Sequence, residues 1–168
     1  MPAYFLSIGS NLEPRQNVPR ILLALLQLSP SLDVSRIAET HPIHMASTHN
    51  FLNLSLRLSS NLDAASLKQQ LNQIEVNLGR NRRHPDSKRQ DRPADLDILF
   101  ALPHDAQTVN PQWIPAEPYI RPMLLELIAF LGLACPISPM PLPPGVEIEV
   151  MGQRLGAKPA TLTKEHLL

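Results

Sequence analysis

Between Phe51 and Ser59 every second residue is leucine: Leu52, Leu54, Leu56 and Leu58 alternate with Phe51, Asn53, Ser55, Arg57 and Ser59. Side chains of an extended chain point to opposite faces in turn, so this period of two predicts a strand with one apolar face. Such a strand belongs to a sheet that buries the leucines and leaves its other face to solvent or ligand.

The flanking sequence supplies the rest of that sheet. Residues 3–8 form a continuous apolar strand, stopped by Gly9-Ser10-Asn11. Pro14 then opens a helix to about residue 28, with Ile21, Leu22, Leu25 and Leu28 on its apolar face. Pro19 falls near its first turns, where a missing backbone donor does least harm. Residues 32–38 give a second strand and residues 39–50 a polar loop rich in histidine. A helix over residues 64–78 buries Leu67, Leu71, Ile74 and Leu78, and Gly79 ends it. A basic loop leads into a strand over residues 95–100. The order β-α-β-β-α-β predicts an α+β fold with a ferredoxin-like core.

Ten of the eighteen prolines lie between Pro103 and Pro144, so that segment must be extended or turning, apart from a helix over about residues 121–131. The expected organisation is one domain over residues 1–168, with a core to about residue 101 and a proline-rich, partly helical C-terminal extension.

Asp95-Leu96-Asp97 carries the chemistry. Two carboxylates at this spacing share one face of a strand, repel one another, and suit a hard cation such as Mg²⁺. Just upstream stand Arg80, Arg82, Arg83, Lys88, Arg89 and Arg92. Acids that hold metal beside bases that hold phosphate is what chemistry on a nucleoside triphosphate requires. Over the whole chain Lys plus Arg equals Asp plus Glu at 15 each, so the basic cluster is local. That favours a small phosphate ligand over a nucleic acid. One cysteine, Cys135, allows no internal disulfide and fits a reducing compartment. With no basic leader and no apolar run long enough to span a bilayer, the expectation is a cytoplasmic protein without a membrane partner. Gly-x-Ser-x-Gly, Walker A and Gly-x-Gly-x-x-Gly patterns are missing. His41, His44, His49 and His84 match no zinc spacing and read as surface or substrate-loop residues.

Several segments together resemble the 6-hydroxymethyl-7,8-dihydropterin pyrophosphokinase family over roughly the first hundred residues. They are Tyr4-Phe5-Leu6-Ser7-Ile8-Gly9-Ser10-Asn11-Leu12, Glu39-Thr40 with Pro42, Phe51-Leu52-Asn53, Ile74-Glu75, Gly79-Arg80-Asn81-Arg82, and Arg92-Pro93-Ala94-Asp95-Leu96-Asp97-Ile98. The resemblance implies transfer of pyrophosphate from ATP to the pterin's hydroxymethyl group, leaving AMP. It implies two Mg²⁺ ions on Asp95 and Asp97, with Arg82 and Arg92 on phosphate as the remaining catalytic residues. Asn72, Glu75, Ile98 and Arg121 would join the arginines around ATP, with Arg80 ordering the loop. Thr40, Pro42, Ile43, Phe51, Asn53 and Met123 would hold the pterin, Phe51 by stacking and Asn53 through its amide. Without the family context, Glu75 is an ordinary exposed helix residue.

The chain also departs from the pattern. Arg89-Gln90-Asp91-Arg92 stands where the family has Trp-Gly-Pro-Arg, Pro115-Ala116 where it has Pro-His, and Met123 where it stacks a phenylalanine. A monomeric enzyme acting on pterin and ATP is the main expectation. The rivals are a pterin-binding paralogue without ATP turnover and a pyrophosphokinase for a modified pterin.

Overall fold

The computed structural model describes residues 1–43, 47–87 and 90–164; His44, Lys88 and Arg89 fall outside them. Among the described residues the fold is mixed α/β, with three α-helices and an antiparallel six-stranded sheet. In chain order the elements are β1 (Ala3–Ser10), α1 (Pro14–Leu25), β2 (Ser31–Val34), β3 (Ala38–Thr40), β4 (Phe51–Ser59), α2 (Ala64–Asn77), β5 (Asp95–Leu102), α3 (Arg121–Phe130), β6 (Ile148–Val150), β7 (Gln153–Leu155) and β8 (Ala160–Thr163). The strands run β5-β1-β4-β2-β8 across the sheet, with β3 also paired to β4. No described helix is long and apolar enough to cross a membrane.

The leucines of β4 do what their period requires. Leu52, Leu54, Leu56 and Leu58 join Tyr4, Leu6 and Ile8 of β1 in one core beneath α1 and α2. The opposite face, expected to meet solvent or ligand, is closed to solvent from Phe51 to Ser55. Phe51, Asn53 and Ser55 are all buried, because α3 packs over β4. A second core forms there from Phe5, Phe100, Leu102 and the α3 residues Leu124, Leu127 and Ile128. The Phe5 and Phe100 rings stack with centroids 4.7 Å apart.

Phe100 reaches this second core through a β-bulge. Phe5 pairs with Phe100 but Leu6 pairs with Ile98, so Leu99 is an extra residue in β5. An inserted residue reverses which face the later side chains use. Leu96 and Ile98 therefore pack toward α1 and α2, whereas Phe100 and Leu102 pack toward α3.

Other expectations shift at their edges. Strand β1 continues through Gly9 and Ser10, which keep their partners on β4. Helix α1 stops at Leu25, short of residue 28. The strand expected over residues 32–38 divides into β2 and β3. At the break, Arg36 turns toward α3 and binds Glu126 through Nε and Nη2 at 2.7–3.0 Å. After the proline-rich stretch the chain forms the β6-β7 hairpin, whose turn takes Met151 and Gly152 through positive φ, and β8 then adds a strand beside β2. None of these three strands is evident in the sequence.

Candidate active site

Register builds the site. On β1, Gly9 faces Asp95 of β5 on one side and Asn53 of β4 on the other; one row along, Ser7 faces Asp97 and Ser55. Directly paired residues project to the same face of a sheet. Both acids and the Asn53 amide therefore share the α3 side of three adjacent strands. Gly9 is required for the first row: a Cβ there would lie 2.7 Å from Asn53 Oδ1 and 3.4 Å from a Phe51 ring carbon. Asn53 Nδ2 in turn donates to Thr40 Oγ1 on β3.

A cavity of about 90 Å³ opens over this row, lined by Thr40, His41, Ile43, Phe51, Asn53, Arg92, Asp95 and Tyr119. It unites six of the residues the sequence singled out. Met123 does not line it. That side chain is only 1% exposed, in the first turn of α3. Tyr119, just before α3, stands at the cavity instead, and no period or motif in the sequence points to it. Burial raises its phenol pKa, with Glu117, Asp95 and Asp97 adding to the rise, so the hydroxyl stays protonated. Pro42 is half-buried and does not line the cavity.

Asp97 and Ile98 border a neighbouring cleft of about 300 Å³ with Ala64, Lys68 and Leu71 of α2. The cleft runs along β5, which ends the sheet and, among the described residues, pairs with β1 alone. Asn72 is half-buried on α2 nearby. Arg121 is turned to the chain itself, donating from Nη1 to the carbonyls of Ile114 and Pro115 at 3.3 Å each. A larger apolar hollow of about 410 Å³ lies against α3, and Glu126 is its one charged lining residue.

Glu75 is not the exposed helix residue that its sequence suggests. Its side chain is fully buried, and its carboxylate joins the basic loop to the acid strand. Arg82 donates to both its oxygens, from Nε at 2.6 Å and from Nη2 at 2.8 Å. Arg80 Nη1 and the Leu96 N–H bind Oε2 at 3.0 Å and 2.9 Å. A buried charge is tolerable only when paired and hydrogen-bonded, and here four donors meet it. Arg80 is itself 93% shielded and passes the connection on to Asp95 Oδ1 at 2.9 Å. Arg92 Nη1 reaches Asp95 Oδ2 at 2.8 Å. Arg82 remains 42% exposed, with its Nη2 4.0 Å from Asp95. Arg83 is exposed, and its backbone N–H donates to Asn81 Oδ1 at 3.1 Å.

The two acids differ in their surroundings. Asp95 is tied to arginines, whereas Asp97 is raised above the usual carboxylate range, first by desolvation and then by Asp95 and Glu75. Arg82 and Arg80 oppose the rise without cancelling it. Among the described residues no group of three or more His, Cys, Asp or Glu could hold a metal ion. Two carboxylates that leave the remaining positions open suit Mg²⁺, which keeps several waters and shares substrate phosphates.

Residues 5–116 match the family described as 7,8-dihydro-6-hydroxymethylpterin-pyrophosphokinase. The chain is 37% identical over 102 residues to the 2-amino-4-hydroxy-6-hydroxymethyldihydropteridine pyrophosphokinase of Porphyromonas gingivalis, covering 60% of this chain and 69% of that one. The Bacillus subtilis protein of the same name is 32% identical over 99 residues, 57% of this chain and 58% of its own. The folate synthesis bifunctional protein of Arabidopsis thaliana is 29% identical over 130 residues, 73% of this chain and 26% of the plant protein. With two thirds of its length matched, and the acid strand, the Asn53 strand and the basic loop all inside the match, the chain belongs to the 7,8-dihydro-6-hydroxymethylpterin-pyrophosphokinase family.

Proposed function

We propose that the cavity over Gly9 binds the pterin, the cleft along β5 binds ATP, and Asp95 and Asp97 hold two Mg²⁺ ions between them. The reaction is the transfer of pyrophosphate from ATP to the hydroxymethyl group of 6-hydroxymethyl-7,8-dihydropterin, with release of AMP. The observation that carries this reading is the row Asp95–Gly9–Asn53. It sets a metal-suited acid beside an amide that can read a pterin edge, with nothing larger than a hydrogen between them.

Each residue's part follows from its surroundings. Asn53 is held by Thr40, which fixes the amide's orientation toward the ring. Phe51 and Tyr119 offer aromatic surface to a flat heterocycle. Ile98 lies on the edge strand beside Leu71 and Lys68, where unpaired backbone groups and an apolar wall can take a purine. Glu75 occupies Arg82 from its inner side and leaves Nη1 for an incoming phosphate. Arg92 stands at the pterin cavity and grips Asp95, so its guanidinium lies where phosphate must approach the acceptor. Both Asp95 oxygens engage arginines, yet each retains a lone pair for a cation. Bound Mg²⁺ would neutralise triphosphate charge and polarise the transferred group. No covalent nucleophile is needed, since such transfers proceed by positioning and charge stabilisation.

A ferredoxin-like description of the core is supported by the order β5-β1-β4-β2 and its antiparallel pairings. The free Cys135 supports a reducing, cytoplasmic setting.

The test is AMP release from ATP and Mg²⁺ on addition of 6-hydroxymethyl-7,8-dihydropterin, which is expected to be stoichiometric with pterin consumed. A second reading, pterin binding without turnover, is favoured by the engagement of both Asp95 oxygens. Calorimetric titration showing pterin binding but none of ATP–Mg²⁺ would establish it and refute the first.

A further inference from the structure

Asn11 follows β1 and is only 3% exposed, and its amide joins two segments remote from one another in sequence. Its Nδ2 donates to the His49 carbonyl at 3.2 Å and to Asp91 Oδ1 at 3.0 Å. Its Oδ1 accepts the Arg92 N–H at 2.6 Å, and the N–H groups of Asn11 and Leu12 donate back to the Arg92 carbonyl at 2.9 Å and 3.2 Å. The second Asp91 oxygen meets His49 Nδ1. Burial alone would push the Asp91 carboxyl up. Hydrogen bonds from Ser47, His49 and Asn11, with the His49 charge, outweigh that and hold it below the usual carboxylate range.

Asp91 immediately precedes Arg92, and His49 stands two residues before Phe51. Arg92 and Phe51 line the same pterin cavity, together with His41 and Ile43 from the His49 loop. The cavity is thus walled by two segments about forty residues apart, and the Asp91–His49 pair joins them at its rim. The resemblance does not supply this pair, because the family run has proline where Asp91 stands.

Resting on the pterin-site reading, we infer that Asp91 and His49 are positioning residues, a tether anchored by Asn11 that makes the loop before Phe51 and the segment presenting Arg92 move as one wall of the pterin cavity. Neither touches the reacting atoms. Because His49 is 66% exposed, the pair is modest in strength. The expected effect of losing it is a pterin affinity weaker by about 2- to 5-fold.

The test is a double-mutant cycle on the full chain: His49→Ala, Asp91→Ala and both together, with His49→Asn as the conservative variant that keeps an N–H donor at the Nδ1 position. Calorimetric titration with 6-hydroxymethyl-7,8-dihydropterin gives affinity, and AMP formation gives KM and kcat for each substrate. The tether requires each single change to raise the pterin Kd and KM, the double to be no worse than Asp91→Ala alone, and His49→Asn to recover most of the loss. The ATP KM should stay within about twofold. Additive losses in the double, a pterin Kd unchanged in both singles, or an equal weakening toward ATP overturns it. Should Asp91→Ala unfold, Asp91→Asn takes its place in the cycle, losing the charge while keeping an acceptor for Asn11. If the wild type binds pterin but forms no AMP, the catalytic reading fails, and the tether still stands or falls on the Kd values.

Discussion

The two faces of the sheet are built on opposite plans. Toward α1 and α2 the strands present an aliphatic surface, with leucines of β4 interleaved with Leu6, Ile8 and Leu96. Toward α3 the same strands present Asp95, Asp97, Asn53, Ser7 and Ser55 beside Phe51, and beyond the bulge at Leu99 they turn to the apolar packing of Phe5, Phe100 and Leu102. The first face provides stability at no chemical cost. The second keeps like-charged acids together, which costs stability and supplies function. Glu75 links the two, since its helix packs on the aliphatic face while its carboxylate holds the arginines of the polar one.

The largest effect should fall on the polar face. Asp97→Ala is expected to lower AMP formation by about a thousandfold or more, with little change in pterin affinity. The same residue tests the cost of that face. An acid whose folded pKa lies above its unfolded one binds more protons when folded, so stability falls as pH rises through that range. Asp97→Asn should therefore raise Tm at neutral pH in the absence of metal while abolishing turnover. The gain should shrink on acidification, as the wild-type carboxyl takes up its proton. A variant that melts lower at neutral pH would show that the acid is not strained.

Next come two changes of similar thermodynamic size on opposite sides of the divide. Glu75→Ala takes from buried Arg80 one of its two carboxylate partners, strips Arg82 of its paired contacts and leaves the Leu96 N–H without its acceptor, and should cost about 3–5 kcal/mol, with turnover lost alongside. Leu56→Ala, at a fully buried site on the aliphatic face, should cost about 3 kcal/mol while kcat at 25 °C stays within twofold. Denaturant melts paired with AMP assays separate them. A large kcat loss in Leu56→Ala would mean that the faces are not independent.

The aliphatic face was legible in the sequence for a physical reason. Period two in β4 and the heptad-like spacing of Leu67, Leu71 and Ile74 are imposed locally by backbone geometry, so a single pass along the chain recovers them. The Asp95-Leu96-Asp97 pattern was legible on the same ground, because its spacing alone places both acids on one face. What escaped depends on contacts between distant segments. The face taken by Phe100 is set by one inserted residue, the burial of Glu75 by arginines that lie beyond its helix, and β8 by the docking of a four-residue strand on β2. The β6-β7 turn escaped because Met151 occupies a positive-φ position usually held by Asn, Asp or Gly.

Gly9 offers a finer test within the polar face. Gly9→Ala places a methyl against Asn53 Oδ1, and the strand pairing on both sides leaves the backbone no room to retreat. Overpacking of this kind costs about 1–3 kcal/mol, here directed at one amide. Pterin KM should rise by about tenfold while ATP KM is unchanged. An equal rise for both substrates would place the nucleotide over Gly9 and overturn the division of the site.

The smallest effect on pterin binding separates two residues four positions apart. Tyr119 lines the cavity with Phe51, whereas Met123 is buried beside α3's first turn. An aromatic contact contributes about 0.5–1.5 kcal/mol beyond the area it covers, so Tyr119→Ala should weaken pterin binding by about three- to tenfold with Tm nearly unchanged. Met123→Ala should do the reverse, lowering stability by about 2–5 kcal/mol and leaving pterin affinity within twofold at temperatures where the chain stays folded. Titration and melting of the pair decide the matter. If Met123→Ala is the variant that loses pterin, then α3 must unwind its first turn when ligand binds, and the residue aligned by sequence, rather than the one found at the cavity, covers the ring.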